Sequence, residues 1–285
     1  MKYLFILLAA LSLSACSYSP EQLRSSYNGM GKDYAKDIKQ MADFSDEQHD
    51  QIDGFGQQIQ QWHRKERLPA YATLITGLGK QLQQSDYIPR QDISRFIDLL
   101  NGYPHFNEAS AVNYQLGKLA QGLNQTQLNQ IIEQLHAEQR EAKTEIRAQT
   151  PELRERHLVK MVDGIADYLG VELHKSQLDI VREYAPNYHD LGEASITAYT
   201  RWYSQLETLL RQHKQADFPQ RFAKHMQLDN DHYLISQQEP QLVQANREQA
   251  IQMLEALLAS MDEEQKATLA TTLISVGETF AGMMQ

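Results

Sequence analysis

A five-residue phrase occurs four times along the chain, and it constrains the fold more than any other feature. Phe44-Ser45-Asp46-Glu47-Gln48, Leu123-Asn124-Gln125-Thr126-Gln127, Leu173-His174-Lys175-Ser176-Gln177 and Met261-Asp262-Glu263-Glu264-Gln265 share one form: an apolar residue, a cap-type residue, two polar residues and glutamine. Ser, Asn or Asp at a helix N-cap accepts a bond from the third helical amide, and glutamine at that third position returns one to the cap. The apolar residue before the cap is placed as a hydrophobic staple. His174 is the weakest cap of the four. Each phrase therefore predicts a helix start.

The intervals between the phrases carry apolar residues at helical spacing. Ile52, Phe55, Ile59 and Trp62 form one stripe; Tyr71, Leu74, Ile75, Leu78 and Leu82 form the next, after Pro69; Leu128, Ile131, Ile132 and Leu135 form another. Strand-type alternation is scarce. Turn signals at Ser85–Pro89, Asn101–Pro104, Gln149–Pro151, Gly170, Pro186–Asp190 and Ala216–Pro219 divide the chain, and 229–240 reads as an exposed polar loop. The expectation is an all-α bundle or array of roughly ten to twelve helices.

The phrases also pair along the chain. Gln48 and Gln177 are 129 residues apart and Gln127 and Gln265 are 138 apart. Tyr71 and Tyr199, Pro89 and Pro219, and the leucines before Gln127 and Gln265 fall at matched offsets. This predicts an internal two-fold repeat, with helical half A over 23–150 and half B over 151–285, packed together as one body.

The only cysteine of the chain, Cys16, bears on location. Met1 and Lys2 precede an apolar run from Leu4 to Leu13, which is too short for a spanning helix of about 20 residues and has the form of a secretory signal. Leu13-Ser14-Ala15-Cys16 resembles the bacterial lipobox. That resemblance implies removal of 1–15 as a signal peptide, lipidation of Cys16 with diacylglycerol and an acyl chain such as palmitate, and a short tether over 16–22. Multiple acyl chains hold a protein far better than one. With Ser17 rather than aspartate after the cysteine, the expected address is the periplasmic face of the outer membrane. No second cysteine exists to form a disulfide. The formal net charge is −10, which excludes nucleic acid as an expected partner.

Two wider resemblances follow. The four glutamine phrases resemble, weakly, the LTxxQ motif of Spy-type periplasmic chaperones. More closely, Tyr27-Asn28, the Phe44–Gln48 phrase and Trp62-His-Arg-Lys-Glu-Arg-Leu-Pro-Ala-Tyr71 resemble an uncharacterised family of proteobacterial lipoproteins that carry YN near the lipidated cysteine and a WHRxxELPxY-like segment. Arg67 stands where that pattern has glutamate. The resemblance implies location and a helical fold, and no activity.

Among candidate sites, the densest chemistry is Trp62, His63, Arg64, Pro69 and Tyr71. Trp62 is expected in the core, with His63 at the edge of its stripe and Arg64 near a helix C-terminus, where cations meet free carbonyls. The functional alternative is a pocket in which His63, Arg64 and Tyr71 hold a carboxylate or phosphate. Glu133 and His136 have E-x-x-H spacing without a second copy, and Asp229-Asn230-Asp231-His232 lacks the glycine and closing glutamate of a calcium loop. Tyr184, Tyr188, Tyr199 and Tyr203 with Trp202 read mostly as core. No metal site, cofactor or catalytic residue is assigned. The functional expectation is a non-enzymatic binding or scaffold protein for an envelope protein or peptide, held to the membrane by Cys16. The alternative is a helical glycan hydrolase, which needs two carboxylates about 5–9 Å apart across a cleft.

Overall fold

The computed structural model describes residues 18–85, 87–101, 105–228 and 231–284. The signal segment, Cys16, Asp229 and Asn230 lie outside the described residues. Ser19 begins the first helix: its hydroxyl accepts the Gln22 N–H at 3.3 Å, and Pro20 takes the first helical position, where a missing N–H is harmless. The helix runs Pro20–Lys39 (α1). It is followed by α2 (Asp46–Glu66), α3 (Leu68–Ser85), α4 (Arg90–Asn101), α5 (Ser110–Gln121) and α6 (Gln125–Arg147). Then come α7 (Pro151–Tyr168), α8 (Lys175–Tyr184), α9 (Gly192–Leu210), α10 (Phe218–Met226), α11 (Asp231–Ser236), α12 (Pro240–Ser260) and α13 (Glu263–Gly282). Short 3-10 turns lie at Phe106–Glu108 and Ala185–Asn187, and no strand occurs among the described residues.

The architecture is all-α. The polar stretch 229–240, expected as a loop, contains α11; six residues suffice for a short helix when α9 and α12 flank it. The α7 end shows how a stop is written: Gly170 adopts φ 77, its N–H reaches the Asp167 carbonyl at 2.9 Å, and Val171 N–H reaches the Ala166 carbonyl at 2.8 Å. This is a Schellman cap, and the left-handed residue is the glycine that bears it without a Cβ penalty.

The helices pack first on near neighbours. α1 lies on α2 and α7 lies on α8; α2 packs on α5 and α8 packs on α12. The middle helices then cross between halves. α3 and α4 pack on α13 and α12, while α9 and α10 pack on α6 and α5. Two large apolar cores result, beside a smaller cluster of Tyr27, Leu68, Tyr71, Val276 and Phe280 between α1, α3 and α13. One collects Leu78 and Ile93 with Val162, Val181, Ile251 and Leu273, from α3, α4, α7, α8, α12 and α13. The other collects Ile131, Trp202 and Phe222 from α6, α9 and α10, and continues through Phe44 and Leu116 into Ile52, Ile59 and Val112 of α2 and α5. The helix pairs α3–α4 and α9–α10 thus pack on helices far from them in sequence.

The α3–α13 contact is the closest of these crossings. A Cβ at Gly277 would stand 2.0 Å from the Thr76 hydroxyl oxygen and 2.9 Å from the Ala72 carbonyl oxygen. Only glycine lets the two backbones meet at that distance.

Candidate functional site

The four glutamines form two amide pairs. Gln127 Nε2 donates to Gln48 Oε1 at 2.7 Å and to the Asp43 carbonyl at 2.9 Å. Its Oε1 accepts the Asn124 N–H at 3.2 Å and Gln48 Nε2 at 3.4 Å. Gln265 repeats the pattern, donating to Gln177 Oε1 at 2.9 Å and to the Glu172 carbonyl at 2.7 Å. Its Oε1 accepts the Asp262 N–H at 3.2 Å and Gln177 Nε2 at 2.8 Å. Asp43 and Glu172 each stand two residues before the cap of their phrase, so the two pairs are equivalent in detail.

A primary amide has two donors and two lone-pair sites, and Gln127 and Gln265 use all four. Glutamate would bring two acceptors face to face, and asparagine would fall short. Ser45, Asn124 and Asp262 cap as expected, with side-chain oxygens 3.3, 2.9 and 2.8 Å from the third amide. At the third phrase the Gln177 N–H goes to the His174 carbonyl at 2.9 Å, while Gln177 Oε1 still accepts the His174 N–H at 2.8 Å. The capping half of this arrangement was readable from sequence. The pairing across helices was not, because nothing in a single phrase says which other phrase it faces.

The segment from Trp62 to Tyr71 turns the chain from α2 into α3, with Pro69 in the first turn of α3. Its centre is His63, which is 0% exposed. Its Nδ1 lies 2.9 Å from the Tyr27 hydroxyl on α1, and the rings of Tyr27, Tyr71 and Phe106 surround it at 5.6, 5.5 and 6.0 Å. Burial holds the imidazole far below the usual histidine range, at about 3, with the positive charges of His105 and Arg67 adding to the effect. Burial likewise pushes the Tyr27 hydroxyl upward. Both groups are uncharged near neutral pH, so their bond joins α1 to α2 without a buried charge.

Arg64 stands on the next position. Its Nη2 donates to Asn28 Oδ1 at 2.6 Å, and its guanidinium lies 5.8 Å from the Tyr27 ring centre. Tyr27–His63 and Asn28–Arg64 are consecutive pairs with the same 36-residue separation. The YN dipeptide thus meets the HR of the WHR tripeptide in register across α1 and α2. Arg67 pairs with Glu108 and lies over the Trp62 ring at 5.6 Å, so position 67 does carry an ion pair, made by the arginine. Glu108 also takes His105 Nδ1 at 2.9 Å.

Two placements correct the sequence reading. Trp62, expected in the core, is half-buried under Arg67, and His63, expected at the edge, is the sealed residue. The cause is a third layer: α1, α3 and the Phe106 turn close over the polar side of the stripe, and Tyr27 supplies the bond that a buried imidazole requires. His63, Arg64 and Tyr71 do not form an open pocket, since His63 and Tyr71 lie inside and the Arg64 head group faces Asn28.

The aromatic group divides into two places. Trp202 is buried, stacked on His225 at 5.0 Å and edge-on to Tyr203 at 5.1 Å, while Tyr184 packs on the other core. His136 donates or accepts with Glu207 on α9 at 2.9 Å and is not joined to Glu133. Among the described residues no three ligand-type side chains cluster for a metal. Two surface depressions are shallow. One, about 370 Å³, lies between α9 and α10 and is lined by Ser204, Thr208, Arg221, Lys224 and His225. The other, about 540 Å³, has Glu248 as its one carboxylate, and that group is paired with Arg90. Neither offers two facing acids.

A further surface is set by what it lacks. From residue 136 to residue 161, across the end of α6 and the start of α7, no side chain is buried. This strap reaches 185–193 through Arg147–Glu193 at 3.2 Å and Arg154–Asp190 at 2.8 Å, and its Leu158 and Val159 pack on the core.

A family model described as a family of unknown function (DUF6279) matches residues 40–238, well over half of the chain. No curated protein and no solved structure matches.

Proposed function

We propose that this chain, which belongs to the DUF6279 family, is a lipid-anchored lipoprotein of the outer membrane that faces the periplasm and binds an envelope protein or peptide without catalysis. The lipobox-like segment ending at Cys16 supports the anchor, and no helix among the described residues is long and apolar enough to cross a membrane. The observation that carries the binding reading is the strap 136–161. It is helical on both sides of 148–150, holds no fully buried residue, and carries half-buried Leu153 among charges of both signs, while Ile146 lies against Gly192 and Leu158 and Val159 pack on the core. Helices offering a partly apolar face are a recurrent means of protein recognition.

The test is site-specific photocrosslinking in intact cells, with the probe placed at Glu145 or Arg156 on the strap and at Lys118 as a control. A discrete adduct from the strap positions alone is expected. Adducts of equal yield at Lys118, or hydrolysis of purified envelope glycan by the isolated protein, would refute the binding reading. Fractionation of Cys16→Ser tests the anchor separately: release from the membrane fraction is expected.

A further inference from the structure

We infer that one end of the helical body, built around Tyr18, rests directly against the lipid headgroups, so that the protein stands on the membrane in a fixed orientation. The inference rests on lipidation of Cys16. Tyr18 is the first described residue, and it is already fastened. Its N–H donates to the Tyr168 carbonyl at 2.7 Å. Its hydroxyl lies 2.8 Å from the Thr279 hydroxyl and 3.3 Å from that of Ser275, and its ring meets Tyr168 edge-on at 5.9 Å.

Three helix ends meet at this residue: the start of α1, the C-terminus of α7 and the last turns of α13. Two peptide units separate Tyr18 from Cys16, a reach of at most about 7 Å. A cysteine carrying diacylglycerol sits at the level of the headgroups, a layer of only about 5–7 Å per leaflet. A link this short keeps the Tyr18 end from standing away from the headgroups. The occupant of this end is therefore a phospholipid surface, and its chemistry suits one: Tyr18 and Tyr168 are amphipathic rings of the kind that favour the membrane interface, and Met284, 40% exposed, ends the chain segment described beside them.

The full-length acylated protein in phosphatidylethanolamine–phosphatidylglycerol vesicles containing a headgroup-nitroxide lipid provides the test. Because the sulfur of Cys16 is consumed by the thioether, a cysteine introduced at an exposed position is the one free thiol for a fluorophore. Gln22→Cys and Ala281→Cys place it at the proposed contact end. Glu152→Cys and Glu264→Cys place it at the opposite ends of α7 and α13, roughly 22–26 Å away along those helices. Several-fold stronger quenching at 22 and 281 than at 152 and 264 is expected. Equal quenching at all four, in protein that floats with the vesicles, overturns the orientation and leaves the anchor standing. Acylation-competent protein that does not float refutes the anchor itself. Tyr18→Ala should still float while the contrast between the two sets of positions shrinks; an unchanged contrast would show that Tyr18 is not the fastening.

Discussion

The core closed by Gln48 and Gln127 and the core closed by Gln177 and Gln265 share a reciprocal amide pair and differ in what surrounds it, Gln177 donating also to the Ser260 carbonyl. In the second, both glutamines are almost fully buried; in the first, Gln48 is half-exposed. The helices they start also differ. α2 continues for 21 residues, whereas α8 stops after ten, where Ala185 and Pro186 turn the chain. The added turns of α2 are the ones that carry His63 and Arg64. Where the two units agree, the residues serve helix starts and helix contacts. Where they part, the first unit gains a buried polar corner, and the second gains the short turn over which the exposed strap lies.

The largest expected effect falls on that unmatched corner. His63→Ala empties a fully buried ring and strands the Tyr27 hydroxyl, and should cost about 4 kcal/mol in a urea melt. Its pH dependence follows from the same burial. The folded-state value near 3 lies below the unfolded value near 6.5, so the unfolded chain binds the extra proton between them. The stabilisation is complete above about pH 6.5 and is lost as pH falls from there toward 3. His63→Gln should flatten that slope while both glutamine pairs remain, and an unchanged slope would show that acid acts elsewhere.

The next test sets one glutamine pair against the other. Gln177→Ala leaves Gln265, the His174 N–H and the Ser260 carbonyl short of partners in a dry site, at a cost of about 3 kcal/mol. Gln48→Ala, where water can reach, should cost about 1 kcal/mol. Equal losses would mean that exposure does not govern the difference. Trp62→Ala should follow at about 1–2 kcal/mol, less than His63→Ala, since the indole is only half-buried. Arg64→Ala should cost about 1 kcal/mol, as little as Gln48→Ala, because it gives up one partly exposed bond to Asn28 and a ring contact. Thermal and urea melts of these variants check the order, and a Trp62 cost above that of His63 would restore the tryptophan as the corner's centre.

Much of the fold was legible because it is written locally. Caps, prolines and the glycine at 170 act within a few residues, and the apolar stripes show their period within one helix. The packing of α3–α4 and α9–α10 on helices far from them in sequence was not legible, since a stripe says that a helix has a buried face and not whose face it meets. The same limit explains Trp62 and His63. Both belong to adjacent lines of the α2 surface, and which is sealed depends on α1 and the Phe106 turn, which arrive from elsewhere in the chain. At the glutamines, capping was local and visible, and the amide pairs were long-range and invisible.

The crossing of helices between halves sets the order in which the molecule can be completed. α3 and α4 are made early, and the faces they bury are covered by α12 and α13, which are made last. Contacts so distant in sequence form late, after most of the loop entropy has been lost. A growing or translocating chain therefore carries the apolar stripe of Leu74, Leu78 and Leu82 uncovered until its final helix arrives. The earliest core is sealed by the latest segment, and a chain cut short before α13 presents that stripe to proteases and to other unfinished chains.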